Sequence, residues 1–244
     1  KFLILDGAPR KDAGKKAKVR KNTRAVVYDE VQSGFLAGYA AVMDGYRSLG
    51  FLGGQKQKNV MYYGSGFVQG AEYAASQLKL KENEVTVRYD YLETNEISPS
   101  VMARAGQWYE DGCELIFAAG GAIPTAVIKA AEATGGKVIA SDVAQTSKQQ
   151  AVVTTAEKNV TDVVYNAIGG AYGDSFDGGK EEIMDLSNEG VGLSMEQSAF
   201  QSFTADEYNK IVSQIVEKEV EVKKEYVSAI NEEGGVAHLT LNFE

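Results

Sequence analysis

Short continuous apolar runs alternate along this chain with stretches in which apolar residues recur every three or four positions. The runs KFLILD (1–6), RAVVYD (24–29), LGFLG (49–53), EVTVRYDY (84–91), ELIFAAG (114–120), KVIASDV (137–143) and AVVTTA (151–156) read as strands. Between them the spacing predicts helices over Gln32–Arg47, Tyr63–Leu78, Ser98–Asp111, Pro124–Ala133, Val160–Ala171 and Ala205–Lys218. Several strands are continuous rather than alternating, the pattern of strands covered on both faces. The expected class is therefore α/β with parallel sheet. From Asp174 onward the pattern is less regular: a turn, a short strand and a loop, then strand-like alternation at EEGGVAHLTLNFE.

Helix punctuation agrees with this reading. Ser98 before Pro99 makes an N-cap followed by a first-turn proline, and Thr204 with Glu207 forms a capping box. In parallel α/β sheets ligands gather at the carboxyl ends of strands. That rule singles out Asp6, Gly120, Gly121 and Asp142.

Composition narrows the function. With 244 residues the chain is long enough for one large domain or two lobes of about 100 to 150 residues each. A net charge of -9 argues against nucleic acid as the principal partner, because phosphate binding draws on Lys and Arg. One stretch breaks the acidic pattern: RKDAGKKAKVRKNTR (10–24) is densely basic, and reads as a solvated loop or a contact with an anionic surface such as lipid head groups. A lone cysteine, Cys113, and a lone histidine, His238, leave no internal disulfide and almost no material for a metal site or a His-based triad. No run reaches the roughly 18 apolar residues of a membrane-spanning helix. The chain opens inside a strand without Met, so we expect processing or preceding strands that these residues do not include.

Three glycines, Gly64, Gly66 and Gly70, follow a strand-like run in YYGSGFVQGAEYAA and raise a nicotinamide reading. Their GxGxxxG spacing is one residue longer than the dinucleotide fingerprint, although Asp90 falls where a ribose-binding acid would sit. An NAD(P)-dependent oxidoreductase is the enzymatic alternative. The competing explanation makes Gly66 and Gly70 a helix face packed closely on a strand. The paired glycines of FAAGGAIPTAVIKAA open a helix with Pro124 in its first turn, which offers backbone N–H groups to an oxygen-rich ligand; a tight turn without ligand explains them equally well. Asp142 could accept hydrogen bonds from vicinal hydroxyls of a sugar, or be a loop acid.

The blocks EVQSGFLAGYAA (30–41), LGFLGG (49–54), YGSGFVQGAEYAA (63–75), ELIFAAGGA (114–122), KVIASDVAQ (137–145), TTAEKNVTDVVYNAI (154–168) and NEGVGL (188–193) occur in order. Together they resemble the BMP (basic membrane protein) family of lipoproteins, the purine nucleoside receptor-like substrate-binding proteins of ABC transporters. The resemblance runs from residue 1 to about residue 220. It implies a type I periplasmic-binding-protein fold of two α/β lobes. Lobe one would comprise 1–33 and 156–244 with its N-terminal strands missing, and lobe two would comprise 34–155.

The implied function is non-enzymatic: capture of a nucleoside, most simply a purine nucleoside, between the lobes, and delivery to an ABC transporter permease. No cofactor, metal or nucleic acid is expected. Localisation would be extracytoplasmic, on a lipid anchor outside this chain. Carried over by position, Tyr63 would stack on the base, Asp142 and Lys158 would clamp the ribose hydroxyls, Gly120 and Gly121 would give backbone contacts, and Asp6 would face the cleft. The segment QKQKNVMY (55–62) is more polar than in most members, and Ala144 stands where many carry a second acid, so a sugar or another small ligand is the remaining alternative.

Overall fold

The computed structural model describes residues 1–12, 15–142, 149–173, 175–232 and 236–244. In chain order the first elements are β1 (Phe2–Leu5), β2 (Thr23–Tyr28), α1 (Glu30–Met43), β3 (Ser48–Gly53), α2 (Lys58–Gln77), β4 (Val85–Tyr91) and α3 (Pro99–Glu110). Next come β5 (Leu115–Ala119), α4 (Ile123–Thr134), β6 (Lys137–Asp142), β7 (Val152–Lys158) and α5 (Val160–Tyr172). The last are β8 (Glu181–Met184), β9 (Val191–Leu193), α6 (Ala205–Val216), α7 (Val227–Glu232) and β10 (Leu239–Phe243). The α/β class expected from the pattern is the one observed.

Contacts group the chain into two compact units, Lys1–Asp29 with Lys158–Val191, and Glu30–Glu157 with Gly192–Glu244. The first unit carries a parallel three-stranded sheet in the order β1-β2-β8. Its basic loop is pinned at both ends to β8, by Arg10 on Glu181 and by Arg24 on Glu182. The second unit carries a seven-stranded sheet in the order β10-β4-β3-β5-β6-β7-β9, with parallel pairing from β10 through β7.

This division differs from the expected one at the C-terminal end. Residues 192–244 pack with the second unit because β10 adds a parallel strand to β4, and because Ser65 donates to the Glu225 carbonyl. His238 reinforces the junction: its backbone N–H and its Nδ1 meet the Glu72 carboxylate, the ring at 2.7 Å.

The central strands of the second unit are apolar on both faces, as their continuous runs predicted. One face stacks Phe51 on Tyr89 at 4.7 Å between centroids and sets Phe67 against Phe117 at 5.4 Å. The other face places Leu52, Ile116, Ala118 and Val138 in one cluster with Val101, Ala105 and Trp108 of α3 and Ile123, Val127 and Ile128 of α4.

Helix α2 begins five residues before the expected Tyr63. The turn before it lacks a start signal: Gln57 stands at the N-cap and makes no side-chain capping bond. The three glycines therefore lie inside the helix body. A Cβ at Gly66 would strike the Val31 carbonyl, and one at Gly70 the Phe35 carbonyl, so these two pack on helix α1 and not on a strand as expected. Gly64 meets Phe51 and Tyr89 of the sheet. The dinucleotide reading fails here, because N–H groups inside the body of a helix are committed to its hydrogen bonds and cannot cradle a pyrophosphate. Asp90 is engaged by Arg104 at 2.7 Å.

Burial leaves a pH signature. Desolvation pushes the Cys113 thiol from 9.0 up to about 12, and the Tyr46 and Tyr91 phenols from 10.0 up to about 12. All three stay protonated in the folded chain after the unfolded chain has begun to ionise. Stability should therefore hold up to about pH 9 and fall as pH rises toward 12. Urea midpoints measured between pH 7 and 11 check this; a midpoint flat across that range contradicts it.

Candidate functional site

Asp142 ends β6 with φ 73°, a left-handed conformation uncommon for a residue with a side chain. Its carboxylate is held by two hydroxyls: Tyr63 Oη donates to Oδ1 at 3.2 Å, and Ser141 Oγ donates to Oδ2 at 3.1 Å. Tyr63 reaches it from the second turn of α2. The tyrosine is 1% exposed, with its ring edge-on to Phe117 at 5.6 Å. Of the residues around Asp142, Ser141 was not anticipated; the only signal was its place beside the acid. Ala144 lies outside the described residues.

Gly120 and Gly121 follow β5 with φ 103° and 52°, a pair of left-handed residues that favours glycine at both places. The turn is tied within the chain. Ala122 N donates to Asn95 O at 2.9 Å and Ile123 N to Gly120 O at 3.1 Å, so these two amides of the α4 start are already bonded.

In the first unit, Asp6 follows β1 with φ 57°. Lys158 Nζ lies 3.1 Å from both of its carboxylate oxygens and 5.5 Å from the centre of the Tyr28 ring. The lysine side chain is 2% exposed and that of Asp6 43%. A charge buried to that degree requires a paired anion, and Asp6 supplies one from a strand end open to solvent. The structure thus brings Lys158 together with Asp6, and Tyr63 together with Asp142. Among the described residues no group of three or more His, Cys, Asp or Glu could hold a metal ion, and no helix is long and apolar enough to cross a membrane.

Charged and left-handed residues therefore sit at the carboxyl ends of parallel strands, where α/β proteins hold small ligands. A family model described as ABC transporter substrate-binding protein PnrA-like matches residues 1–226. The chain belongs to the Bmp family.

As a Bmp protein it is similar to basic membrane protein B of Borreliella burgdorferi strain B31, with 30% identity over 229 residues, 90% of this chain and 61% of that protein. It is also similar to basic membrane protein D of Borreliella burgdorferi strain JD1, at 28% over 198 residues, 79% of this chain and 55% of that protein. The chain thus spans a little over half of the length of these relatives.

Among solved structures, a solute-binding protein of an ABC transporter system from Aeropyrum pernix K1 matches with TM-score 0.67 and 19% identity, over 95% of this chain and 67% of that one. Another, from Conexibacter woesei DSM 14684, matches with TM-score 0.64 and 18% identity, over 85% and 68%. These likenesses show a periplasmic-binding-protein-like fold. ABC substrate-binding proteins are, as a class, extracytoplasmic and generally non-enzymatic.

Proposed function

We propose that this Bmp protein captures a nucleoside, with purine nucleosides preferred, and delivers it to the permease of an ABC transporter from a lipid-anchored position outside the cytoplasm. The observation that carries the reading is the Asp142 carboxylate, fixed by the Tyr63 and Ser141 hydroxyls on a left-handed residue at a strand end. An ionised carboxylate only accepts hydrogen bonds, which is the chemistry that vicinal ligand hydroxyls call for. Holding it in place beforehand lowers the ordering cost of binding.

In this reading Tyr63 acts through Asp142, as a positioning residue, in place of the stacking expected from its sequence position. The Gly120–Gly121 turn, exposed at Gly121, offers backbone contacts at a strand end. In the first unit Lys158, fixed by Asp6, is a charged donor suited to ligand hydroxyls.

Calorimetric titration of the full-length protein with adenosine, guanosine and inosine, beside ribose and glucose, tests the assignment. Saturable heat from at least one nucleoside is expected. Binding of a free sugar with no response to any nucleoside would overturn it.

A further inference from the structure

Three turns lie at the carboxyl ends of β3, β4 and β5, and one residue touches all of them. Asn95 sits in the loop between β4 and α3. Gln55 N, in the turn after β3, donates to Asn95 Oδ1 at 3.1 Å, while Asn95 Nδ2 donates to Gln55 Oε1 at 3.3 Å. The backbone carbonyl of Asn95 accepts Ala122 N, in the turn after β5, at 2.9 Å. Two further bonds close the set: Gly54 N to Ala119 O and Leu92 N to Gly53 O, both 2.8 Å.

Asn95 also explains why glycine is needed on either side of it. A Cβ on Gly121 would lie 2.7 Å from both the Cβ and the carbonyl oxygen of Asn95, and a Cβ on Gly54 would collide with Asn95 Oδ1. The two outer turns are therefore packed onto residue 95 at van der Waals distance and hydrogen-bonded to it.

We infer that Asn95 is a positioning residue that sets the Gly120–Gly121 turn for ligand capture; this rests on the nucleoside reading of that turn. The carboxamide suits the task because it is short and uses its acceptor and its donor at once. A left-handed glycine pair has a wide choice of conformations when unrestrained. The clasp removes that freedom before the ligand arrives, so its loss appears as weaker binding.

The test uses the full-length protein with adenosine as probe, at a temperature well below each variant's melting midpoint. Asn95→Ala keeps the carbonyl and Cβ that meet the Gly120–Gly121 turn but releases residue 95 from Gln55, so the support of that turn loosens and affinity should weaken by about tenfold or more. Asn95→Asp keeps an acceptor for Gln55 N, and the Gln55 amide can turn to face it, so affinity should stay within about threefold of wild type. Asn95→Ser, whose hydroxyl is too short to reach Gln55 N, should behave as the alanine variant does and serves if that variant fails to fold. A lower melting midpoint in Asn95→Ala or Asn95→Ser with unchanged affinity would mark a purely structural residue and overturn the inference. Absence of adenosine, guanosine and inosine binding in the wild type would instead overturn the nucleoside reading, and this inference with it.

Discussion

Replacing Gly70 with alanine is expected to destabilise the fold by about 2–3 kcal/mol, the scale of overpacking a filled site, although helix propensity alone favours the change by up to about 1 kcal/mol. The reason lies between two backbones. The new Cβ would fall on the Phe35 carbonyl oxygen and within 2.7 Å of its carbon and 2.8 Å of Tyr39 N. The same holds across the pair of helices: Gly34 faces the Tyr63 carbonyl, Gly38 the Phe67 carbonyl and Gly66 the Val31 carbonyl. Each helix presents its glycines four residues apart, on one face.

A backbone carbonyl cannot rotate aside as a side chain can, so helices α1 and α2 would have to separate. Gly106 is the control, since it lies on α3 with nothing within 4 Å of an added Cβ. Gly106→Ala should stabilise by about 0.5–1 kcal/mol. Urea unfolding of both variants, followed by circular dichroism, reads the two signs. If Gly70→Ala also stabilises, the close helix contact is wrong.

Asp44→Ala should cost roughly 2–4 kcal/mol, for a different reason. Asp44 follows α1 and is 8% exposed. Its Oδ1 accepts three consecutive amides, from Gln201 at 2.7 Å, Ser202 at 2.6 Å and Phe203 at 3.0 Å. These bonds deliver the chain to the capping box of Thr204 and Glu207 that starts α6. They also set Phe203 edge-on to Tyr39 at 5.9 Å. Alanine would leave the three donors without this acceptor and loosen the aromatic contact. Asp44→Asn retains an acceptor oxygen at the same place, so it should lose less than half as much. Equal, small losses for the two variants in urea unfolding would show that the amides do not depend on this carboxylate.

Asp44 does not announce itself in sequence. An aspartate after a helix reads as a loop acid, and its partners lie 157 to 159 positions away. The glycines did announce themselves, but with the wrong neighbour: their spacing shows a close approach and cannot say whether a strand or a helix makes it. Strands β3, β5 and β6 were legible because burial on both faces writes continuous apolar runs, whereas β4 alternates, with Val85, Val87 and Tyr89 buried. The start of α2 was not, because Lys58 and Asn59 open it in a polar stretch with no capping side chain.

The C-terminal strand was visible as alternation, yet its pairing with β4 is a long-range choice that period alone does not encode. At the candidate site, Asp142 and the glycine pair were legible from the rule that ligands gather at carboxyl ends. The bond between Tyr63 and Asp142 spans 79 positions and that between Lys158 and Asp6 spans 152, so only the fold reveals them.

The measurement that bears most directly on nucleoside capture is calorimetric titration of wild-type and Asp142→Ala full-length protein with purine nucleosides. Tyr63→Phe adds a useful intermediate, since it keeps an aromatic ring and removes only the hydroxyl that holds the carboxylate. Asp142→Ala should weaken binding by more than ~1.5 kcal/mol, over tenfold in affinity, with Tyr63→Phe between it and wild type. Nucleoside affinity unchanged in Asp142→Ala would contradict the account.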